Sequence, residues 1–156
     1  MAKIVIIMGS GKDLEFAKKI EKIVKDFSLE CDLRVASAHK TPNKVLKIID
    51  DNKDKEVVYI TIAGRSNALS GFVDANSSKP VIAAPPYSEK FGGADIFSSL
   101  RMPSGVAPLV VLGFEQAALA AVKILGLHNE GLEKKIIKYQ EVYKKRIEKE
   151  DNEING

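Results

Sequence analysis

Residues 3–8 read Lys-Ile-Val-Ile-Ile-Met and are followed at once by the turn Gly-Ser-Gly-Lys-Asp at 9–13. An unbroken apolar run of this length is typical of a strand buried on both faces, as in parallel sheets. The run is too short for the hydrophobic segment of a signal peptide, so we expect a strand in a cytoplasmic protein. The small residues at 9–13 then lead into an amphipathic segment, which indicates a strand–turn–helix unit.

The same alternation continues along the chain. Apolar runs near 31–35, 57–62, 80–84 and 108–112 predict four further strands, and amphipathic stretches such as Pro42–Asn52 predict helices between them. This order predicts a flavodoxin-like three-layer α/β sandwich with a parallel sheet, in a single domain over 1–156. A long C-terminal helix is expected at about 130–150, with a frayed tail at 151–156.

The composition excludes several classes of function. The net charge is only +3, and 20 of the 24 cations are lysines scattered along the chain, so we expect no nucleic-acid partner. No apolar stretch approaches the ~18 residues of a membrane span. The single cysteine, Cys31, excludes an intrachain disulfide and a cysteine-based metal cluster. We expect neither a metal nor a cofactor.

The turn after the first strand is a candidate anion site. Ligands of doubly wound sheets bind at the carboxyl ends of the strands, where free backbone N–H groups at a helix start favour a phosphate. Asp13 would repel a phosphate but suits neighbouring sugar hydroxyls, so a phosphoribosyl group fits best. The Walker and dinucleotide spacings are absent. Ser10 and Asp13 could also be ordinary helix caps.

The turn after the second strand carries Ser37, His39 and Lys40 directly before a helix start. Histidine suits proton transfer near neutral pH, and lysine offers a point charge for phosphate. A lone histidine more often has a structural role, which leaves that alternative open for His39. His128 lies between two predicted helices, where a capping or solvent-exposed role is favoured.

The turn after the third strand presents Gly64, Arg65, Ser66 and Asn67 at the same edge of the sheet. Small residues of this kind can offer backbone amides and hydroxyls to a flat ligand. A response regulator would need an aspartate here, and a nucleophile elbow would need GxSxG; both are missing. The long segment 85–108 is rich in Gly, Pro and Ser, which is typical of a lid or binding loop.

Four motifs together resemble the PurE family of purine biosynthesis: MGSGKD (8–13), SAHKTP (37–42), AGRSNALSG (63–71) and GADIFSSLRMPSGVAP (93–108). The mutase class of this family typically has His-Arg after strand 2 and a second histidine after strand 3. His39-Lys40 and a histidine-free third turn resemble instead class II, which carboxylates 5-aminoimidazole ribonucleotide with carbon dioxide. Lys12 departs from the family, which usually has a serine there.

The resemblance also implies roles for individual residues. His39 is the expected acid/base at C4 of the imidazole. The remaining residues are expected to bind a ribonucleotide: Ser10, Asp13, Ser37 and Lys40 at the ribose phosphate, Gly64, Arg65, Ser66 and Asn67 at the imidazole and carboxylate, and Ser88 with Gly92-Gly93 as a lid. A homo-oligomer, tetramer or octamer, is implied as well. The mutase reaction and a non-catalytic ribonucleotide-binding module are the alternatives.

Overall fold

Five parallel strands form one sheet in the order β2-β1-β3-β4-β5 in the computed structural model, which describes residues 2–155. The strands are β1 (Lys3–Met8), β2 (Glu30–Val35), β3 (Val57–Ile62), β4 (Val81–Ala83) and β5 (Leu109–Val110). The helices are α1 (Leu14–Asp26), α2 (Pro42–Asp50), α3 (Leu69–Ala75), α4 (Phe97–Leu100), α5 (Phe114–Gly126) and α6 (Glu130–Asn155). Short 3-10 turns precede α1 and α4. The flavodoxin-like prediction is confirmed.

The alternation of side chains along β1 explains the three layers. Ile4 and Ile6 pack with α1, α5 and the start of α6, whereas Val5 and Ile7 pack with α2 and α3 on the other face. Both sets are fully buried, because successive strand residues point to opposite faces of the sheet. The unbroken apolar run therefore reflects a strand that is covered on both sides.

The strand order places a ligand-binding crevice in a known position. Since β1 pairs with both β2 and β3, the chain leaves the sheet in opposite directions at the β1/β3 boundary. Ligands of such sheets bind outside the carboxyl ends of the strands at this switch point. The three turns predicted to carry the chemistry all leave the sheet at that end.

Several element ends differ from the sequence predictions, most clearly those of β5 and α6. The edge strand β5 is a two-residue strand, Leu109–Val110, instead of the predicted 108–112, because its ladder with β4 consists only of the pairs Ile82–Leu109 and Ala83–Val110. Helix α6 continues to Asn155, beyond the predicted end near residue 150, and the fraying of its last residues stays a prediction. Exposed i,i+4 contacts support this end, namely Arg146–Glu150, Lys149–Glu153 and Asn155–Asp151. Residue 156 lies outside the described residues.

The first turns of α6 attach the helix to the sheet layers. Leu132 and Ile136 are buried, and Ile136 approaches Gly126 at the end of α5 so closely that a Cβ there would meet it at 2.9 Å. Lys135 donates to Phe27 O and Ser28 Oγ at the end of α1. Within residues 2–155, no helix combines the length and apolarity that a bilayer span requires.

Candidate active site

A cavity of about 1150 Å³ lies at the carboxyl ends of β1, β2 and β3. Ligand pockets in proteins usually have volumes of about 300–1,000 Å³, so this cavity is large enough for a small-molecule ligand. The lining residues come from the three turns after these strands and from the segment after β4: Gly9, Ser10, Lys12, Asp13, Ser37, Ala38, His39, Lys40, Ala63, Gly64, Arg65, Ser66, Leu69, Pro86, Ser88, Lys90, Phe91, Ala94 and Asp95.

Of the two residues in the turn after β1 that could cap a helix, only Ser10 does so. Ser10 does cap the following 3-10 turn, because its Oγ accepts a hydrogen bond from Lys12 N at 3.3 Å. Asp13 precedes α1 but makes no capping hydrogen bond. Burial raises the pKa of the Asp13 carboxyl above its ordinary value of 3.8. A half-buried carboxyl without a capping role, facing the cavity, is suited to accept hydrogen bonds from a sugar.

The turn after β2 is held by hydrogen bonds that involve Ser37. Thr41 Oγ1 accepts from Ser37 N at 2.9 Å, and Ser37 Oγ accepts from Lys40 N at 3.2 Å. Thr41 N also donates to Ser37 O at 2.9 Å. His39 lies at the tip of this closed turn, and its imidazole makes no hydrogen bond to any of residues 2–155. Both ring nitrogens are thus free for a ligand.

The turn after β3 brings Gly64, Arg65 and Ser66 to the cavity but not Asn67. The Asn67 side chain is buried, donates to Ser99 Oγ at 2.9 Å and accepts from Ser70 N at 3.2 Å. These bonds use both ends of the amide to join the start of α3 to α4. Asn67 is thus a structural link behind the wall of the cavity, and its predicted contact with the imidazole is not supported by this geometry.

The segment 85–108 is docked along α3, although its composition suggested a lid. Asp95 Oδ2 accepts from Arg65 N at 3.1 Å, and Asp74 Oδ2 accepts from Ala107 N at 2.7 Å. Between them, the Met102 sulfur lies so close to Gly71 that an added Cβ would stand 3.0 Å away. These contacts fix residues 95–107 in place.

The part of this segment before Asp95 has an unusual backbone conformation. Phe91, Gly92 and Gly93 have φ values of 53°, 61° and 77°, three left-handed residues in succession. Ser88 Oγ accepts from Lys90 N at 3.3 Å just before them. Phe91 lines the cavity and is 90% exposed. The lid expected at Ser88 and Gly92-Gly93 therefore remains a proposal for residues 88–93 alone.

Several lining residues were not identified from the sequence as site residues. Lys90, Phe91 and Asp95 all belong to the long segment, and their charges and aromatic ring were the signal available. Lys12, noted only as a departure from the family pattern, also lines the cavity. Cations therefore approach the cavity from all four contributing segments, which suits an anionic ligand.

The second histidine lies elsewhere. His128 is exposed in the turn between α5 and α6 and does not line the cavity. Among residues 2–155, no group of three or more His, Cys, Asp or Glu side chains is arranged to hold a metal ion. The cavity thus offers one imidazole, four cations and two carboxylates as its ionisable groups, which can bind a phosphate and move one proton at a time.

Comparisons with known proteins identify the family of the chain. The model of the family described as AIR carboxylase matches residues 3–146. The phosphoribosylaminoimidazole carboxylase of Archaeoglobus fulgidus is 60% identical over 152 residues, which covers 97% of this chain and 84% of that protein. The N5-carboxyaminoimidazole ribonucleotide mutase of Methanocaldococcus jannaschii is 41% identical over 97% of this chain and 96% of that protein.

A solved structure extends the similarity to the whole fold. The crystal structure of Treponema denticola PurE superposes with a TM-score of 0.96 at 42% identity and covers 98% of each chain. The relatives carry two names, carboxylase and mutase, so similarity alone identifies the family but not the reaction. The family match, these identities and the shared fold together mean that the chain belongs to the AIR carboxylase family, the PurE enzymes of purine biosynthesis.

Proposed function

We propose that the protein carboxylates 5-aminoimidazole ribonucleotide at C4 with carbon dioxide, reversibly, as the class II members of the family do. The observation that carries this choice is the histidine content of the cavity: of the two histidines in the chain, only His39 lines it. Lys40 follows His39, and the turn after β3 contains no histidine. The mutase class has arginine and a second histidine at these two places.

The substrate supplies its own nucleophile. The amino group of the aminoimidazole makes the ring an enamine, so C4 attacks the carbon of carbon dioxide and a C–C bond forms. One C=O electron pair moves onto oxygen as the carboxylate develops. His39 then takes the C4 proton, and the C–H electrons return to the ring. In reverse, protonated His39 delivers that proton to C4 before carbon dioxide leaves.

The other residues of the cavity position the two reactants. Ser10, Ser37 and Lys40 hold the 5′-phosphate, and Asp13 accepts hydrogen bonds from the ribose. Gly64, Arg65 and Ser66 lie on the side of the imidazole and its new carboxylate. Ser88 belongs to residues 88–93, the proposed lid over the cavity. Fixing the ring against carbon dioxide removes much of the entropic barrier of a bimolecular reaction.

The mutase reaction is the second candidate, and the M. jannaschii relative, 41% identical, is the observation that favours it. That reaction breaks the N–C bond of the N5 carbamate and forms the C–C bond at C4 with the same carboxyl carbon. A ribonucleotide-binding module without catalysis is the third candidate, because the same turns would bind the nucleotide.

Isotope labelling distinguishes these candidates. The enzyme is given the aminoimidazole ribonucleotide with ¹³C-bicarbonate in one reaction. In another it is given the unlabelled N5-carboxy compound in a large excess of ¹³C-bicarbonate. Carbonic anhydrase in both keeps carbon dioxide and bicarbonate in equilibrium. The mass of the C4 carboxylate in the product is then measured, with a His39→Asn variant as the catalytic control.

Each candidate predicts a different result. A carboxylase forms ¹³C product in both reactions, since the carbamate must first lose its unlabelled carboxyl group to solution. A mutase forms unlabelled product from the carbamate and none from the aminoimidazole. Tight nucleotide binding with no C4 carboxylation or decarboxylation identifies a binding module.

We also propose that the chain assembles as a homo-oligomer, a tetramer or octamer. Support comes from large apolar side chains that are left exposed on α4 and around the edge strand β5. Phe97, Leu100, Leu109 and Leu112 are each about half exposed or more. A contact with another subunit would cover these apolar side chains. Multi-angle light scattering measures the mass, and a monomer at all concentrations would contradict the proposal.

A further inference from the structure

We infer that Asp95 is a positioning residue for the reaction proposed above, because its carboxylate holds the backbone of Arg65 in the left-handed conformation and so fixes one wall of the cavity. The assignment of a catalytic effect to Asp95 rests on that proposed function. The structural part of the inference, the clamp on Arg65, stands on the hydrogen bonds alone.

Both backbone polar groups of Arg65 are bound by the segment that starts α4. Arg65 N donates to Asp95 Oδ2 at 3.1 Å. Ser98 Oγ lies 3.0 Å from Arg65 O and 2.8 Å from Asp95 O, so its one hydrogen serves these two carbonyls. The same Ser98 oxygen accepts from Asn67 N at 3.0 Å. Two side chains thus hold the turn at three points.

The conformation that they hold is unfavourable for arginine. Arg65 has φ = 58°, one of three non-glycine residues with positive φ among residues 2–155. A residue with a Cβ loses stability in this region and stays there only when its surroundings force it to. The Asp95 and Ser98 bonds supply that force, because they require the Arg65 N–H and C=O to point at α4.

The position of Asp95 ties this strain to the cavity. Gly64, Arg65 and Ser66 form the lining on one side, and Asp95 itself lines the cavity next to them. A Cβ on Gly64 would stand 3.7 Å from Asp95 Oδ2, so the carboxylate lies directly against the turn. The other attachments of the segment, at Gly71 and Asp74, are further along α3. Asp95 is therefore the anchor next to the reacting groups.

One competing role must be separated from positioning. The second carboxylate oxygen, Oδ1, accepts no hydrogen bond from residues 2–155, and it could contact the substrate directly. Direct contact would depend on the negative charge or on Oδ1, whereas positioning depends only on an acceptor at Oδ2 and on the φ of residue 65. Asparagine retains that acceptor, and glycine at residue 65 removes the need for it.

The test is a set of variants in which glycine and alanine at position 65 are matched controls. Asp95→Asn should keep kcat/KM within about 3-fold of the wild type, while Asp95→Ala should lower it about 10- to 100-fold, the effect of losing a hydrogen bond to a charged group. In an Arg65→Ala background Asp95→Ala should lower kcat/KM by the same factor as it does in the wild type. In an Arg65→Gly background Asp95→Ala should lower kcat/KM by about 3-fold or less.

A second measurement does not depend on catalysis. Amide hydrogen exchange of the peptide around Arg65 should become faster in Asp95→Ala and remain at the wild-type rate in Asp95→Asn. If the wild type fails the labelling assay, the proposed function is wrong, and exchange still tests the clamp. Should Asp95→Ala not fold, Ser98→Ala, which frees the Arg65 carbonyl, replaces it in the same comparison.

Three results would overturn the inference. If Asp95→Asn loses as much activity as Asp95→Ala, or if the loss is equal in the Arg65→Gly and Arg65→Ala backgrounds, Asp95 acts on the substrate through its charge. If Asp95→Ala leaves both kcat/KM and exchange unchanged, Asp95 does not hold the turn.

Discussion

Replacing His39 by asparagine should separate catalysis from folding more cleanly than any other change in the cavity. Asparagine is close in size and keeps a polar group at the tip of the β2–α2 turn. The turn itself is closed by Ser37 and Thr41, whose hydrogen bonds do not involve the His39 side chain. The substitution therefore removes the proposed proton carrier and should leave the structure around it in place.

The two expected magnitudes differ widely. His39 is exposed and makes no hydrogen bond within residues 2–155, so the free energy of unfolding should change by no more than about 0.5 kcal/mol. For a chain of this length that change shifts Tm by about 2 °C or less. Loss of a general acid/base lowers kcat about 10²- to 10⁴-fold, which corresponds to about 2.7–5.4 kcal/mol of transition-state stabilisation.

The assay measures kcat and KM in both directions, carboxylation of the aminoimidazole and decarboxylation of the product, together with Tm and the Kd of the nucleotide. One group carries the proton in both directions, so kcat should fall by a similar factor in each. The Kd should change little. Activity within a few-fold of the wild type would remove His39 from the mechanism, and a large fall in Tm would show that its role is structural.

Three further predictions follow from the same structure. Lys40→Ala should raise KM about 10- to 100-fold with kcat nearly unchanged, because a phosphate contact is present in both ground and transition states. Lys44→Ala, at an exposed position in the first turn of α2, is the control. A large fall in kcat instead would assign Lys40 a chemical role. Asp13→Asn should raise KM yet leave the protein as stable or more stable at neutral pH. Burial raises the folded-state pKa of Asp13 above 3.8, so the ionised carboxyl destabilises the fold fully above that raised pKa and has no such effect below pH 3.8. Denaturant titrations should therefore show that the stability advantage of Asp13→Asn shrinks as the pH falls towards 3.8. A variant that is less stable than the wild type at neutral pH would contradict this. Leu132→Ala should lower the free energy of unfolding by about 2–5 kcal/mol, against about 0.5 kcal/mol or less for the exposed Leu127→Ala, measured by denaturant unfolding; equal losses would mean that the start of α6 does not pack as described.

The fold and the location of the site were predictable from the sequence for the same physical reason. A run such as Ile4–Met8 has no polar side chain to expose, so it must be covered on both faces, and a parallel sheet with helices on both sides does this. Once the strands are parallel, the residues that follow them lie at one edge. The proximity of the residues that follow β1, β2 and β3 is therefore predictable without any knowledge of their side-chain contacts.

The roles of Asn67 and Asp95 could not be predicted in this way, because they depend on how residues far apart in sequence dock. Asn67 follows β3 like its cavity-lining neighbours, yet its amide is directed to Ser99, 32 residues later. Asp95 lies in a segment that composition marks only as a loop, and its partner Arg65 is 30 residues earlier. Neither pairing has a local signal in helical or strand periodicity.

The end of α6 differs from the sequence prediction for another reason, because local i,i+4 interactions extend the helix further than its lack of buried residues suggests. Residues 151–155 have no buried contact, so a terminus of this kind is expected to fray. The i,i+4 pairs from Arg146 to Asn155 continue the helix instead. Each pair contributes only about 0.2–0.5 kcal/mol, but several in succession offset the cost of ordering residues that a helix already precedes.

The scarcity of catalytic side chains explains why backbone geometry carries so much of the site. In the proposed carboxylation the substrate carbon is the nucleophile, so the protein needs one proton carrier and must otherwise keep two small reactants aligned. In this cavity that task falls to turns closed by side-chain-to-backbone hydrogen bonds: Ser10 to Lys12, Ser37 to Lys40 and Asp95 to Arg65. An error of about 1 Å in such a turn can cost about 10²-fold in rate. We therefore expect residues that only close the turns to be as sensitive to substitution as residues that contact the substrate.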